Sequence, residues 1–416
     1  MKKYQIFGGN KLYGRITAES AKNSVLALIA GSLLTDEEVV IENCPKINDV
    51  LNMVNILSSL GVKAEFVDDC LIINASSRKG FCVDKELSKK LRTSIYFMGA
   101  LVGKGGVCQL YLPGGCNIGK RPIDIHIESL KKLGVKVTIK DEQILCQRLN
   151  KKGGRVIFPF PSVGATVNVM LASVLTNGTS IIYNCAKEPE IKDLANFLNS
   201  MGAKISGAGT SRIEIKGVKK LGGTSYKPIS DRIEIGTYLL AGAIAGGEIE
   251  ICNANMQNIE LLAHKISNIS CKITYISDII NIKYKQRGFA FNLETGPFPK
   301  FSTDLQPQTL AYLCICRGQS VVKETMFENR FSQVSDLIRM GANVKVEGSV
   351  AYVNGVSKLK GCVVKAKDLR GGASLVLAGL NADGVTTVED VEHIERGYFN
   401  MAQKLTSLGA KIKVIT

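Results

Sequence analysis

Six copies of one helix–strand unit, and so an α/β fold, are written into this chain of 416 residues. Three observations predict it. A short phrase recurs six times at intervals of roughly 70 residues, apolar helices alternate with β-branched strands, and the first helix of each copy is apolar enough to be buried. The phrase reads Leu60-Gly61-Val62-Lys63, Leu133-Gly134-Val135-Lys136, Met201-Gly202-Ala203-Lys204, Ile269-Ser270-Cys271-Lys272, Met340-Gly341-Ala342-Asn343 and Leu408-Gly409-Ala410-Lys411. It predicts the end of a helix, because glycine tolerates the left-handed backbone just past a helix C-terminus.

Each copy runs in the same order. An apolar helix comes first, as at Ser24 to Leu34 and Thr166 to Leu175. A strand follows, as at Val39 to Ile41 and Ser180 to Ile182. A polar loop then leads to a second, amphipathic helix, with Val50, Met53, Val54, Ile56 and Leu57 at helical spacing. The glycine phrase caps that helix, and a strand or hairpin closes the unit. The glycine pairs Gly153-Gly154, Gly222-Gly223 and Gly371-Gly372 match no phosphate-loop pattern and are expected in turns.

Composition bounds the function. With 45% hydrophobic residues the chain can bury two or more cores. Its longest apolar stretch is far too short to span a membrane, and no basic-then-apolar leader precedes it, so a cytoplasmic protein is expected. Most of the 12 cysteines fall in apolar strands or helices, among them Cys44, Cys70, Cys108, Cys252, Cys314 and Cys316, with no zinc-type spacing. Free thiols in a reducing compartment are expected. Three histidines, His126, His264 and His393, offer little to a histidine metal site or nucleophile relay. The formal charge is +16, yet long basic runs are missing and tryptophan is absent, so a nucleic-acid stacking platform is poorly supported. A charge of this size either solvates the surface or converges on an anionic small molecule.

What one copy has and the others lack is a candidate for chemistry, and the starts of the first helices differ most. They carry Lys22-Asn23-Ser24, Arg92-Thr93-Ser94, Ser162 to Thr166, Asp231-Arg232, Thr303-Asp304 and Asp368-Leu369-Arg370. Ser162, Asp231 and Asp304 suit N-caps. Lys22, Arg92 and Arg370 oppose the helix dipole, which points to an anion held between them. Arg121, Arg330 and Arg396 in the second loops add cations suited to phosphate and carboxylate. Cys116 lies apart from the other thiols in Pro113-Gly114-Gly115-Cys116-Asn117-Ile118-Gly119-Lys120-Arg121-Pro122. A flexible loop with Lys120 and Arg121 beside the thiol favours a lowered pKa and an acid or nucleophile on a mobile lid.

These segments together resemble the enolpyruvyl transferases, and among them those acting on UDP-N-acetylglucosamine. Pro113 to His126 (PGGCNIGKRPIDIH) is the most specific match. Ala21-Lys22-Asn23, Pro161 to Thr166, Asp231 to Glu234, Thr325 to Phe331, Asp368 to Arg370 and Arg396 to Tyr398 add to it along the whole chain. The resemblance implies two inside-out α/β barrel domains of three copies each, with the active site in a cleft between them. It places the first domain at residues 21–229 and the second at 230–416, completed by residues 1–20, with crossings near Glu19 and Ser230.

The implied reaction adds the sugar 3′-hydroxyl to C2 of phosphoenolpyruvate and then eliminates phosphate. Cys116 matches the acid that protonates C3, and Asp304 matches the base. Lys22, Arg121 and Arg396 match the positions that hold the phosphate and carboxylate, with Arg92, Arg330 and Arg370 nearby. Asn23 matches a contact to the sugar or adduct. Arg121, Pro122, Ile123, Asp124, Ile125, Ser162, Val163, Gly164, Asp231, Asp304 and Met326 complete the substrate-binding set.

No metal or organic cofactor is implied, and the expected partners are the two substrates, without nucleic acid or membrane. A monomer or weak homo-oligomer is expected. Asn48, Pro307 and Met326 depart from the residues common in relatives, and none removes a reacting group. Two other readings stay open. One is the same chemistry on shikimate 3-phosphate or a free nucleotide, and Cys116 counts against the shikimate acceptor. The other is a non-catalytic basic protein that binds nucleic acid.

Overall fold

The first helices are apolar on every side, and a helix of that kind is stable only where other elements surround it. The computed structural model, which describes residues 2–114, 118–119, 122–267 and 269–416, places all six in that position. They are α1 (Lys22–Gly31), α2 (Tyr96–Gly105), α3 (Val163–Ser173), α4 (Arg232–Ala245), α5 (Gln306–Leu313) and α6 (Leu369–Asn381). Nearly all their residues are buried.

The chain divides into two bodies. The first holds residues 20–114 and 122–229, with α1, α2 and α3 packed together. The second holds residues 2–19, 118–119 and 230–416, with α4, α5 and α6 packed together. Six small sheets stand outside these helices, one for each copy. The helices are thus the core and the sheets the wall, an inside-out arrangement that buries apolar helices against apolar sheet faces.

The sheets repeat one pattern. The strand after the central helix pairs in parallel with an edge strand and antiparallel with a hairpin. In the third copy Thr179–Tyr183 lies between Arg155–Ile157, parallel, and Arg212–Lys216, antiparallel. In the second copy the parallel edge shrinks to an isolated bridge between Cys82 and Gln109. The N-terminal strands serve two sheets of the second body. Leu12–Thr17 pairs in parallel with Gly247–Cys252, and Lys3–Phe7 lies between Val385–Glu389 and Lys411–Ile415.

The recurring glycines do what their position requires. Gly61, Gly134, Gly202, Gly341 and Gly409 all have positive φ just beyond a helix. In the fourth copy Ser270 replaces the glycine, and its hydroxyl accepts a hydrogen bond from Tyr312 Oη at 2.6 Å.

Two expectations need correction. Gly371 and Gly372 lie inside the first turns of α6, not in a turn between elements. Close approach explains them: a Cβ on Gly371 would stand 2.7 Å from Asp368 Oδ2, and one on Gly372 would stand 2.8 Å from Ala366 and Ile394. Cys44, Cys314 and Cys316 lie outside the strands and helices, though all three are buried. The eleven described cysteines are free thiols. Among the described residues, no helix is long and apolar enough to cross a membrane.

Candidate active site

In the first body the site residues gather at helix starts. Lys22 opens α1 and is nearly buried, and its ammonium lies 2.7 Å from Asp49 Oδ2 in the first turn of helix Asn48–Ser59. The cation at a helix N-terminus is therefore matched by a buried carboxylate of the protein itself. Asn23 follows, half-buried.

Ser24, one residue on, donates to Asp193 Oδ2. Asp193 also accepts from Tyr226 Oη at 2.6 Å and from the Ile229 amide at 3.3 Å. Burial pushes the Asp193 carboxyl up, and these hydrogen bonds pull the other way. One carboxylate thus joins the start of α1 to the segment ending at Ile229, whose carbonyl accepts from Ala21 N–H at 2.7 Å. Arg92 opens a short 3₁₀ turn leading into α2 and is half-buried.

Ser162 caps α3, its hydroxyl accepting from the Ala165 amide at 3.3 Å, as its position predicted. Val163 and Gly164 form the first turn. Pro122 and Asp124 are exposed, Ile123 is buried, and Ile125 is half-buried at the start of helix Asp124–Lys132. His126 on that helix packs on Gly164, where an added Cβ would come 2.9 Å from the imidazole.

The orientation of His126 follows from one hydrogen bond. The Gly99 amide can only donate, and it lies 2.7 Å from Asn168 Oδ1. The Asn168 amide nitrogen must then face His126 Nδ1, 2.8 Å away, so Nδ1 accepts and the neutral ring carries its proton on Nε2. Cys116 and Arg121 lie outside the described residues.

In the second body the charges are concentrated. Asp304 lies between two buried arginines. Its Oδ1 accepts from Arg330 Nη2 and its Oδ2 from Arg370 Nη2 at 3.2 Å. Arg330 also donates to the Thr303 carbonyl at 3.1 Å and lies over the Phe327 ring. Thr303 Oγ1 donates to Glu324 Oε2 at 3.0 Å, and Glu324 Oε1 accepts from the Met326 amide at 2.8 Å, which fixes the turn carrying Met326.

Asp304 is not the N-cap that sequence reasoning made it. Ser302 takes that role, accepting from the Asp304 amide at 3.3 Å, and the carboxylate is free to turn toward the arginines. Asp231 and Asp368 are caps, each accepting two amides at the starts of α4 and α6. Pro307 falls in the first turn of α5, where a missing N–H does no harm. Arg396 ends the short helix Glu392–Glu395, half-buried.

The second body so brings Asp304, Arg330 and Arg370 into contact. The first brings Lys22 and Asn23 to one helix start, and Ser162 to Gly164 to another. Sequence reasoning missed Asp49, Asp193, Glu324 and the Asn168–His126 pair. An acidic residue in a first turn, such as Asp49, reads simply as a complement to the helix dipole, and nothing local marks it as the partner of a distant lysine.

Known proteins resemble this chain over nearly its whole length. The family model described as EPSP synthase (3-phosphoshikimate 1-carboxyvinyltransferase) matches residues 6–405. UDP-N-acetylglucosamine 1-carboxyvinyltransferase 2 of Caldanaerobacter subterraneus is 46% identical, over 99% of each chain. The Rickettsia bellii UDP-N-acetylglucosamine 1-carboxyvinyltransferase is 43% identical, over 99% of this chain and all of the relative. Among solved structures, the enolpyruvyl transferase NikO of Streptomyces tendae matches with a TM-score of 0.89 at 23% identity, over 100% of this chain and 99% of that one. EPSP synthase of Acinetobacter baumannii matches with a TM-score of 0.76 at 17% identity, over 100% of both chains. The two solved structures establish the fold, and the full-length identity narrows it further: the chain belongs to the UDP-N-acetylglucosamine 1-carboxyvinyltransferases, within the EPSP synthase family.

Proposed function

We propose that the protein transfers the enolpyruvyl group of phosphoenolpyruvate to the 3′-hydroxyl of UDP-N-acetylglucosamine with release of phosphate, a step of peptidoglycan synthesis. The observation that carries this reading is the 46% identity, over 99% of both chains, to an enzyme of that name. The cluster of Asp304 with Arg330 and Arg370 supports it, since it offers a carboxylate for a hydroxyl proton beside cations for an anion.

In this reading the sugar oxygen bonds to C2 of phosphoenolpyruvate while Asp304 takes the hydroxyl proton and the Cys116 thiol supplies a proton to C3. The Cys116 thiolate left by that step takes a C3 proton back from the tetrahedral adduct, the C2–O bond to phosphate breaks with its electron pair leaving on phosphate, and the double bond re-forms. Lys22, Arg121 and Arg396 hold the phosphate and carboxylate, with Arg92, Arg330 and Arg370 adding positive charge. Fixed cations of this kind stabilise charge as it develops, without reorganising during the reaction.

Asn23 and Asp231 contact the sugar or adduct. Pro122 to Ile125, Ser162 to Gly164 and Met326 form the nucleotide surface. We read the chain as two domains, residues 21–229 and residues 230–416 completed by residues 1–20, and as a monomer or weak homo-oligomer. Eleven described cysteines held as free thiols suit a reducing compartment, and we place the activity in the cytoplasm.

Phosphate release from phosphoenolpyruvate tests the reading, with UDP-N-acetylglucosamine, shikimate 3-phosphate and UMP offered separately. Release with the sugar nucleotide alone is expected. Release with another acceptor alone would reassign the substrate, and no release from folded protein would overturn the activity.

A further inference from the structure

Tyr398 is buried at the point where α4, α5 and α6 converge, and its hydroxyl is held from two sides. Thr237 on α4 uses its own proton on the Ile233 carbonyl, 2.7 Å away. Its oxygen therefore accepts from Tyr398 Oη at 2.8 Å. Gln308 on α5 donates from Nε2 to the same Tyr398 oxygen at 2.9 Å. A phenol has one proton to give, and here its direction is fixed.

The face of the ring lies under the guanidinium of Arg370 on α6, 5.2 Å from ring centroid to guanidinium carbon. Arg370 Nε and Nη1 are buried without a close hydrogen bond, and the ring and phenol of Tyr398 are the groups beside them. The ring face compensates them as a cation–π contact, strongest where water is excluded. The remaining nitrogen, Nη2, reaches Asp304. The Tyr398 amide also donates to the Ile394 carbonyl at 3.0 Å, fixing the turn that carries Arg396.

We propose that Tyr398 is a positioning residue: Thr237 and Gln308 lock its ring, the ring sets Arg370, and Arg370 sets Asp304. This rests on the proposed roles of Asp304 and Arg370 in the transfer reaction. Rotation of a freed ring would leave the buried guanidinium without its face contact, and Asp304 would follow it.

The test compares Tyr398→Phe, Thr237→Val and Thr237→Ser. KM for phosphoenolpyruvate does not depend on the fraction of folded enzyme, so a merely structural role would not move it. Tyr398→Phe and Thr237→Val are expected to raise that KM several-fold and lower kcat about tenfold. Binding of UDP-N-acetylglucosamine alone, followed by calorimetry, is expected to stay within about twofold. Thr237→Ser keeps the hydroxyl and is expected to restore most of both parameters.

An unchanged KM in Tyr398→Phe and Thr237→Val, with kcat falling only as the folded fraction falls, overturns the proposal. If Tyr398→Phe does not fold, the Thr237→Val and Thr237→Ser pair decides. A second readout is independent of the reaction: the Arg370 Nε–H signal in ¹⁵N spectra, assigned through Arg370→Lys, is expected to exchange slowly in the parent protein and fast in Tyr398→Phe. Equal exchange in both overturns the proposal. Absence of phosphate release from the parent protein, with that difference in exchange present, instead removes the transfer reading and leaves the positioning intact.

Discussion

The two bodies use the same three-helix core and hold its polar centre in opposite ways. In the first, Gly99, Asn168 and His126 form a neutral chain whose directions are fixed by which atoms can donate. In the second, Asp304, Arg330 and Arg370 form a charged cluster in which one carboxylate serves two guanidinium groups. A neutral chain satisfied at every link has one arrangement. A charged cluster is set by balance, and an incoming anion that takes one arginine alters the hold on the carboxylate. The comparison teaches that the repeat supplies the frame twice, and that the same frame accommodates a neutral chain in one body and a charged cluster in the other.

The sharpest way to break that comparison is Asp304→Asn. Turnover in the phosphate-release assay is expected to fall by about 10²–10⁴-fold, the range for a general base. Undiminished turnover would mean that another group takes the proton and that the cluster is structural.

The second body also holds a buried charge apart from the arginine cluster. Glu234 on α4 pairs with Lys404 at 2.8 Å and accepts from the Glu19 amide at 2.7 Å. Burial pushes its carboxyl up from an ordinary value near 4.5 to about 7, while Lys404 pulls it down. The folded protein therefore keeps a proton that the unfolded chain releases near pH 4.5. The stability this proton contributes is complete below that pH and is lost as pH rises to about 7. Glu234→Gln is expected to flatten the fall in unfolding free energy between pH 4.5 and 7, followed by urea titration. An unchanged slope would show that Glu234 is ionised throughout.

The neutral centre should behave differently. Asn168→Leu leaves the Gly99 amide and His126 Nδ1 without their Asn168 partner, and is expected to cost about 2 kcal/mol of stability. Turnover per folded molecule is expected to change less than in Asp304→Asn. A loss of turnover as large as in Asp304→Asn would erase the distinction between the two centres. The smallest expected effect is from Ser162→Ala at the start of α3, about 1 kcal/mol for a lost helix cap, read as a lowered Tm. No change would mean that the 3.3 Å contact carries no stability.

Much of the frame was legible in the chain. The five phrases that carry the glycine marked helix ends correctly because a left-handed residue is a local requirement, met by Gly61 or Gly202 whatever lies around them. The apolar first helices announced burial for the same reason. Caps at Ser162 and Asp231 could be read from two or three neighbouring residues.

The rest depended on residues far apart in sequence. Asp49 meets Lys22, Asp193 meets Ser24 and Tyr226, and Asn168 meets both Gly99 and His126. Asp304 looked like a cap because it is an acidic residue at a helix start, and only the fold showed that Ser302 accepts the Asp304 amide while the carboxylate turns to the arginines. The sequence by itself determined the repeat, its helices and the residues available for chemistry, since these rest on local backbone preference and on apolar periodicity. The tertiary structure alone decided which carboxylate faces which cation. Coulomb and hydrogen-bond energies depend on distances of a few ångströms between side chains that the chain separates by dozens of residues.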